Sequence, residues 1–241
     1  MRLNRIVFAV LVLTVPASAV AQDWTEFASR EDRFTCNFPG KPAITETTWK
    51  SEYGADLKGR VYAAQSGQSR YTVTAIDYSP VEKILTEKAK TQCAVAAETC
   101  IGVTDTGLGY WKNDVRGAVV YATWKLMERP GVKVTHMLWN FMDMVAGQQL
   151  QLTNPDGSRT FASIYMHENK LLTMEGTVKA GMPEPGLFQQ SLGWLDEQGN
   201  GIRYAFVYYN DPDLVKPAIR RRTPQQRNDG RIDAPGAPGG R

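Results

Sequence analysis

Histidine is the side chain best suited to move protons near neutral pH, and this chain of 241 residues has only two. His136 alternates with Val134 and Leu138 in a predicted strand, so we expect it to be either a buried, hydrogen-bonded residue or the floor of a pocket. His167 begins the predicted turn HENK and is expected to be exposed. A pocket that held His136 beside an acidic residue would suit a small hydrolase, which is the enzymatic alternative for this chain.

No other motif in the sequence predicts chemistry. There is no H-x-H, H-x-x-x-H or C-x-x-C spacing for a metal and no G-x-S-x-G for a nucleophilic serine. A triad assembled from distant residues would leave no pattern, but nothing in the sequence points to one. The sequence therefore predicts no catalytic residue, no metal and no cofactor, and it favours binding over catalysis.

The segment GLGYWKNDVRG, residues 107–117, gathers side chains that are suited to binding. Its glycines allow close approach of the backbone, and its aromatic and charged groups could contact a partner, as in many loops held by a rigid sheet. The alternative is a loop whose aromatic residues cap the edge of the sheet. No G-K-[ST] motif follows, so a phosphate site is not predicted. The candidate binding residues are Tyr110, Trp111, Lys112, Asp114 and Arg116.

The start of the chain has the pattern of a secretory signal peptide. Arg2 and Arg5 precede an apolar run of about ten residues, which is too short to span a bilayer, and Ala19-x-Ala21 fits the cleavage site. A short N-terminal core helix is the alternative. We expect cleavage near Ala21 and a soluble periplasmic or secreted protein, with no transmembrane segment once residues 1–21 are removed.

Export would place the three cysteines in an oxidising compartment. Cys36 alternates with two phenylalanines in the strand RFTCNF and is expected to be buried, which leaves Cys93 and Cys100 for each other. A continuous helix would separate their Cα atoms by roughly 10 Å, whereas a disulfide needs less than about 7 Å. The predicted disulfide thus requires the helix that starts near Val81 to end around Cys93, although a redox pair is a weaker alternative.

The last 26 residues, 216–241, carry seven basic and two acidic side chains and are rich in Pro, Gly and Arg. Because they have almost no large apolar residue, we expect a disordered tail. The tail could adhere to an anionic partner in the cell envelope, or it could simply be solvated. Residues 22–215 are net negative although the whole chain is +3, so the basic pI of the chain comes from its tail.

Period-two alternation predicts strands over most of the chain. The predicted strands are RFTCNF, two that turn near Gly54, SRYTVTAIDY, RGAVVYATWKLM, GVKVTHMLWNFM, MVAGQQLQLT, RTFASIYMH, LLTMEGTVK and GIRYAFVYY. The predicted helices are VEKILTEKAKTQ and PEPGLFQQSLGWL. This order predicts a single α+β domain over residues 22–215, in which a mainly antiparallel sheet is covered by two or more helices.

The N-terminal motif resembles exported bacterial proteins with a PsbP-like α/β/α sandwich. The residues that carry the resemblance are Trp24-x-x-Phe27, Phe34-x-x-x-Phe38-Pro39-Gly40-Lys41-Pro42, Tyr53-Gly54 and Asp77-Tyr78. The resemblance implies the fold and a binding or accessory role, and it brings no catalytic residues. The first interpretation is therefore a soluble exported binding or accessory protein that contacts a protein or another component of the cell envelope.

Overall fold

The computed structural model describes residues 24–92 and 106–221. Its strands are β1 Trp24–Ser29, β2 Phe34–Pro39, β3 Ala43–Lys50, β4 Asp56–Ser66, β5 Ser69–Asp77, β6 Lys133–Met142, β7 Val145–Thr153, β8 Arg159–His167, β9 Lys170–Val178, β10 Gly193–Leu195, β11 Gly201–Tyr204 and β12 Ile219–Arg221. Its helices are α1 Val81–Gln92, α2 Thr106–Met127 and α3 Gly186–Gln189.

The strands form two antiparallel sheets. The larger sheet has the order β3-β4-β5-β9-β8-β7-β6, and the smaller has the order β1-β2-β10-β11-β12. Two-residue turns join β6 to β7 and β8 to β9, and both residues of each turn have positive φ, as tight hairpins require. The predicted α+β class with a mainly antiparallel sheet is confirmed.

Each face of the larger sheet is covered by a different layer. Helices α1 and α2 pack on one face, around Leu85, Ala122 and Leu150. The smaller sheet and the short α3 pack on the other face, around Phe34 and Trp194. The larger sheet is therefore the middle layer of the sandwich. Helices form the layer on one side of it, and the layer on the other side consists mostly of the strands of the smaller sheet.

The largest error in the predicted secondary structure lies in residues 116–127, which form the second half of helix α2 and not a strand. Ala118, Ala122 and Leu126 are buried against the sheet, whereas Val120 and Trp124 are exposed. A spacing of four residues fits both a strand and a helix, so these three buried positions satisfied the alternating pattern. Val120 and Trp124 between them face solvent, whereas Val119 is partly buried and packs against the core.

One further prediction near the C-terminus is wrong in part. The predicted helix PEPGLFQQSLGWL is helical only over the four residues of α3, and its end forms strand β10, where Trp194 pairs with Phe34 of β2. Within the predicted tail, Ile219–Arg221 pairs with β11 as β12, and the disorder of the tail stays a prediction. Residues 222–241 lie outside the described part of the chain.

The cysteine predictions are only partly covered by the structure. Cys36 is buried in β2, as its alternation predicts, and burial raises the pKa of its thiol to about 12. Helix α1 is described to Gln92, and Cys93 and Cys100 lie outside the described residues. The disulfide therefore stays a prediction.

Candidate functional site

The predicted binding loop is the first half of helix α2, so the prediction of a loop is wrong. The side chain of Tyr110 lies outside the described side chains. Trp111 is half-buried at the border of the core between the helices and the sheet, and the Nζ atom of Lys112 lies 5.9 Å from the centre of its ring. Helical spacing sends consecutive residues to different sides, so the candidate residues do not form one surface.

Asp114 points into the protein and not toward solvent. It is fully buried, and the Ser51 hydroxyl donates a 2.5 Å hydrogen bond to its Oδ2 atom. Ser51 in turn accepts a hydrogen bond from the backbone N–H of Ala55, which fixes the turn between β3 and β4. Burial raises the pKa of Asp114. Asp114 therefore anchors helix α2 to this turn.

Lys112 and Arg116 hold the segment that follows β11 against helix α2. Arg116 donates to both carboxylate oxygens of Asp211 at 2.9 and 3.0 Å and to Asp213 at 2.6 Å. Lys112 donates to Asp213 at 2.5 Å. The hydrogen bond from Arg116 lowers the pKa of Asp211, and the one from Lys112 lowers the pKa of Asp213. We call residues 206–216 the strap.

Removing Arg116 is expected to loosen the strap without unfolding the domain. Arg116→Ala deletes three charge-assisted hydrogen bonds at the surface, where ion pairs contribute little to global stability. Amide hydrogen exchange at residues 211–215 should accelerate several-fold, and the thermal midpoint should stay near that of the wild type. Lys125→Ala, which breaks an exposed pair with Glu128 just after the end of helix α2, is the matched control and should leave the strap unchanged. Unchanged exchange in Arg116→Ala would contradict this account of the strap.

The two histidines occupy the opposite environments to those predicted. His136 is exposed on β6, so neither a buried histidine nor a pocket floor exists there, and the hydrolase hypothesis built on it is wrong. His167 is fully buried at the end of the interior strand β8. Its Nε2 atom lies 2.8 Å from the Tyr204 hydroxyl, and its ring packs 4.7 Å from that of Trp194. Burial lowers the pKa of His167 to about 3, so it stays neutral at physiological pH.

An apolar groove of about 460 Å³ lies between helix α2 and the last two strands of the larger sheet. Val119 and Val120 form its helix wall, and Trp139 of β6 stands opposite. The strap closes one side with Tyr209 and Leu214. Arg116 is the one residue among the predicted binding residues with described side chains that lines this groove.

Strand β6 extends the apolar surface beyond the groove. It is the last strand of the larger sheet, and it is exposed over most of its length. Its pairing with β7 places alternate side chains on the same face as Leu150 and Leu152, which is the face that helix α2 covers further inward. The exposed apolar side chains of β6 on that face are Val134, Met137, Trp139 and Phe141.

The degree of exposure distinguishes this surface from ordinary scattered apolar residues. Trp139 is 67% exposed and Val120 is 56% exposed, although both line the same groove. Single exposed apolar residues are normal on a soluble protein, but a contiguous apolar patch beside a groove marks an interaction site. We call Val120, Met137, Trp139, Phe141 and Leu214 the docking face.

A larger polar cleft of about 560 Å³ lies at the other end of the same sheet. Its buried carboxylate, Asp32, is held by Arg60 at 2.6 and 2.8 Å, and Lys170 pairs with Asp77 at 3.1 Å. Most of its charges therefore neutralise one another within the chain. The smaller apolar groove is the better candidate, because large apolar side chains at its margin, Val120, Trp139 and Leu214, stay exposed.

Sequence comparisons identify no family for this chain: no family model matches, and neither does any curated protein. Among solved structures, the chain is similar to cyanobacterial PsbP (CyanoP) from Synechocystis sp. PCC 6803 in solution. The identity is 13%, the match covers 70% of this chain and 87% of that chain, and the TM-score is 0.31. PsbP is the family that the N-terminal motif resembles, but a likeness at this level says nothing about binding or activity.

Two further observations concern the described residues only. Within residues 24–92 and 106–221, no helix is both long and apolar enough to cross a membrane. In the same part of the chain, no three His, Cys, Asp or Glu side chains come together as a potential metal site.

Proposed function

We propose that this protein is an exported binding or accessory protein that docks a partner protein on the docking face. The observation that carries the proposal is the apolar stripe of β6, which helix α2 leaves uncovered and which continues into the groove beside Val120. Export rests on the signal-peptide pattern of residues 1–21, and the periplasm or the cell exterior is the proposed location.

The occupant that fits this surface best is an amphipathic helix of the partner. Helix α2 ends at Met127 and β6 begins at Lys133, so the strand returns alongside the helix and the groove runs between them. A helix about 10 Å wide could lie over β6 beside α2 and extend the helical layer of the sandwich. Apolar residues on one side of such a helix would fill the groove, as in other helix-in-groove complexes.

The candidate residues of helix α2 keep a role in this proposal. Arg116 lies at the rim of the groove, where it could pair with an acidic group of the partner as well as with Asp211. Lys112 does not line the groove, but it holds the strap that forms one wall, and its Nζ atom lies over the ring of Trp111. Charged rims around apolar centres set the orientation of a partner more than its affinity.

Affinity capture from a cell-envelope extract tests the proposal with two variants of one helix. Val120→Lys places a charge in the groove, whereas Trp124→Lys places one at a position that is also exposed, 48%, but lies outside the groove. We expect the wild type and Trp124→Lys to retain the same specific protein and Val120→Lys to lose most of it. A third arm without residues 222–241 should still capture it. Capture that depends on the tail and not on Val120 would instead support adhesion through the tail.

A further inference from the structure

We propose that the free edge of β6 pairs with β6 of a second copy of this chain, about a two-fold axis at Trp139. The two larger sheets would then form one continuous antiparallel sheet across a homodimer. This inference concerns the backbone edge of β6 and does not rest on the proposed partner helix, which would occupy the face of the strand.

The hairpin geometry identifies which backbone groups of β6 point outward. Asp143 and Met144 form the two-residue turn with φ of 47° and 71°, so Met142 and Val145 close the hairpin as a hydrogen-bonded pair. Because this pairing alternates along antiparallel strands, residues 141, 139 and 137 direct their N–H and C=O groups away from β7.

Two hydrogen bonds agree with this assignment. The N–H of Phe141 donates to the side-chain oxygen of its neighbour Asn140 at 2.9 Å, as expected for a group that has no strand beside it. The N–H of Ala146, opposite Phe141, donates to the carbonyl of Tyr208 at 3.0 Å and so points away from β6. Among the described strands, none pairs with the outer edge of β6.

The chemistry of β6 does not protect this edge. Natural sheets block unwanted pairing with charges, prolines or bulges along their edge strands. The other edge of the same sheet, β3, carries Glu46 and Lys50. Strand β6 has neither a charge nor a proline between Lys133 and Asp143, and its one irregularity lies at its start, between Val134 and His136.

A two-fold axis at Trp139 would bring the outward-pointing residues of β6 opposite apolar residues of the second β6. The backbone groups of Trp139 would pair with those of the second Trp139, and those of Met137 would pair with those of Phe141. On the face of helix α2, these apolar side chains would join into one stripe. On the other face, Leu138 would lie opposite Asn140. No like charges meet in this register, because the residues that pair around the axis, 137–141, carry no charge, and the interface is isologous, as in most dimers.

The area available is adequate for a dimer. Aromatic side chains bury about 150–250 Å² each when fully covered, and Trp139 and Phe141 are still 67% and 48% exposed. Burial of the exposed parts of these four side chains in two copies would therefore contribute roughly a third to a half of the ~1,000 Å² that a specific interface needs. Met137, Leu138 and Val134, all exposed, and the paired backbones supply the rest. Because the outward residues of β6 match themselves in this register, a second copy is favoured over a partner of unknown sequence at this edge.

Light scattering after size-exclusion chromatography tests the proposal on the purified protein at up to about 100 μM. The wild type should show twice the mass of one chain. Leu138→Lys should raise the dissociation constant at least about 100-fold, because two like charges would flank the axis. Ile44→Lys, an equally drastic change at an exposed position of the opposite edge strand β3, should leave the mass unchanged. The double variant Leu138→Lys with Asn140→Glu should restore dimers, since each lysine would then face a carboxylate of the other copy.

Three results would overturn the proposal. They are a monomeric wild type, a Leu138→Lys variant that stays dimeric, and a monomer that dimerises only after removal of residues 222–241, which would mean that the tail covers the edge. Leu138 lies on the face of β6 opposite to the docking face. Loss of dimers in Leu138→Lys with retained partner capture, or the converse in Val120→Lys, therefore separates this inference from the proposed function.

Discussion

Acidification from pH 7 to pH 4 is expected to lower the free energy of unfolding by about 3 kcal/mol through His167 alone. The pKa of His167 is lowered to about 3, first by burial and then by the positive charges of Lys216 and Arg33. In the unfolded chain its pKa returns to about 6.5. Between these two values the unfolded state binds more protons than the folded state. The stabilisation is therefore complete above about pH 6.5 and is lost as the pH falls toward 3.

Urea unfolding of the wild type and of His167→Phe at pH 7, 5.5 and 4 measures this effect. The phenylalanine keeps a ring against Trp194 but cannot bind a proton. The free energy of unfolding of the wild type, relative to that of His167→Phe, should therefore fall by about 3 kcal/mol from pH 7 to pH 4. His136→Gln, which changes an exposed histidine, is the matched control and should follow the wild type. Parallel pH profiles for the wild type and His167→Phe would contradict a buried, neutral His167.

The second large effect is expected at the ion pair that joins the two sheets. Asp32 is 2% exposed, and its carboxylate accepts two hydrogen bonds from Arg60 of β4 and one from the Tyr62 hydroxyl. Arg60→Ala would leave this buried carboxylate with one neutral donor. Loss of one partner of a buried pair costs about 3–5 kcal/mol, and we expect a loss of this size. The hydrogen bonds that Arg60 donates to Asp32 also raise the pKa of Arg60, which agrees with a tightly held pair.

Denaturant unfolding of Arg60→Ala at pH 7 checks this expectation. Lys125→Ala breaks an exposed pair with Glu128 and should unfold close to the wild type. The double variant Arg60→Leu with Asp32→Leu removes both charges and should recover part of the lost stability, because no unpaired charge stays buried. Equal unfolding of Arg60→Ala and Lys125→Ala would show that Asp32 is not a buried, paired carboxylate.

The alternating strands of the larger sheet were predictable because each hairpin repeats a local pattern. In β3 to β5 and β6 to β9, polar and apolar residues alternate and turn residues mark the ends, so sequence and structure agree closely. Helix α2 was missed because its buried positions, four residues apart, fit a strand as well as a helix. The buried positions also fit helical spacing, and two of them are alanine, the residue with the highest helix propensity. Comparison with a helical pattern would therefore have favoured the helix.

The environment of a residue in a strand depends on where the strand lies in the sheet, which local pattern does not reveal. His136 and His167 both occupy strands with apolar neighbours, yet β6 is an edge strand and β8 is an interior strand. The docking face follows from the same fact, because the apolar residues of β6 would be core residues if another strand or helix covered them. The charged residues of helix α2 were identifiable, but their partners Asp211 and Asp213 come from the distant strap and could not be inferred.

Site-specific photo-crosslinking shows whether a partner protein lies against the docking face. A benzophenone amino acid would be introduced at position 120 or 139 of the docking face, or at position 124 or 44 as equally accessible controls. After irradiation in a cell-envelope extract, positions 120 and 139 should crosslink to the same protein of a different sequence, and positions 124 and 44 should not. Crosslinking of that protein at 124 or 44 but not at 120 or 139 would contradict the account.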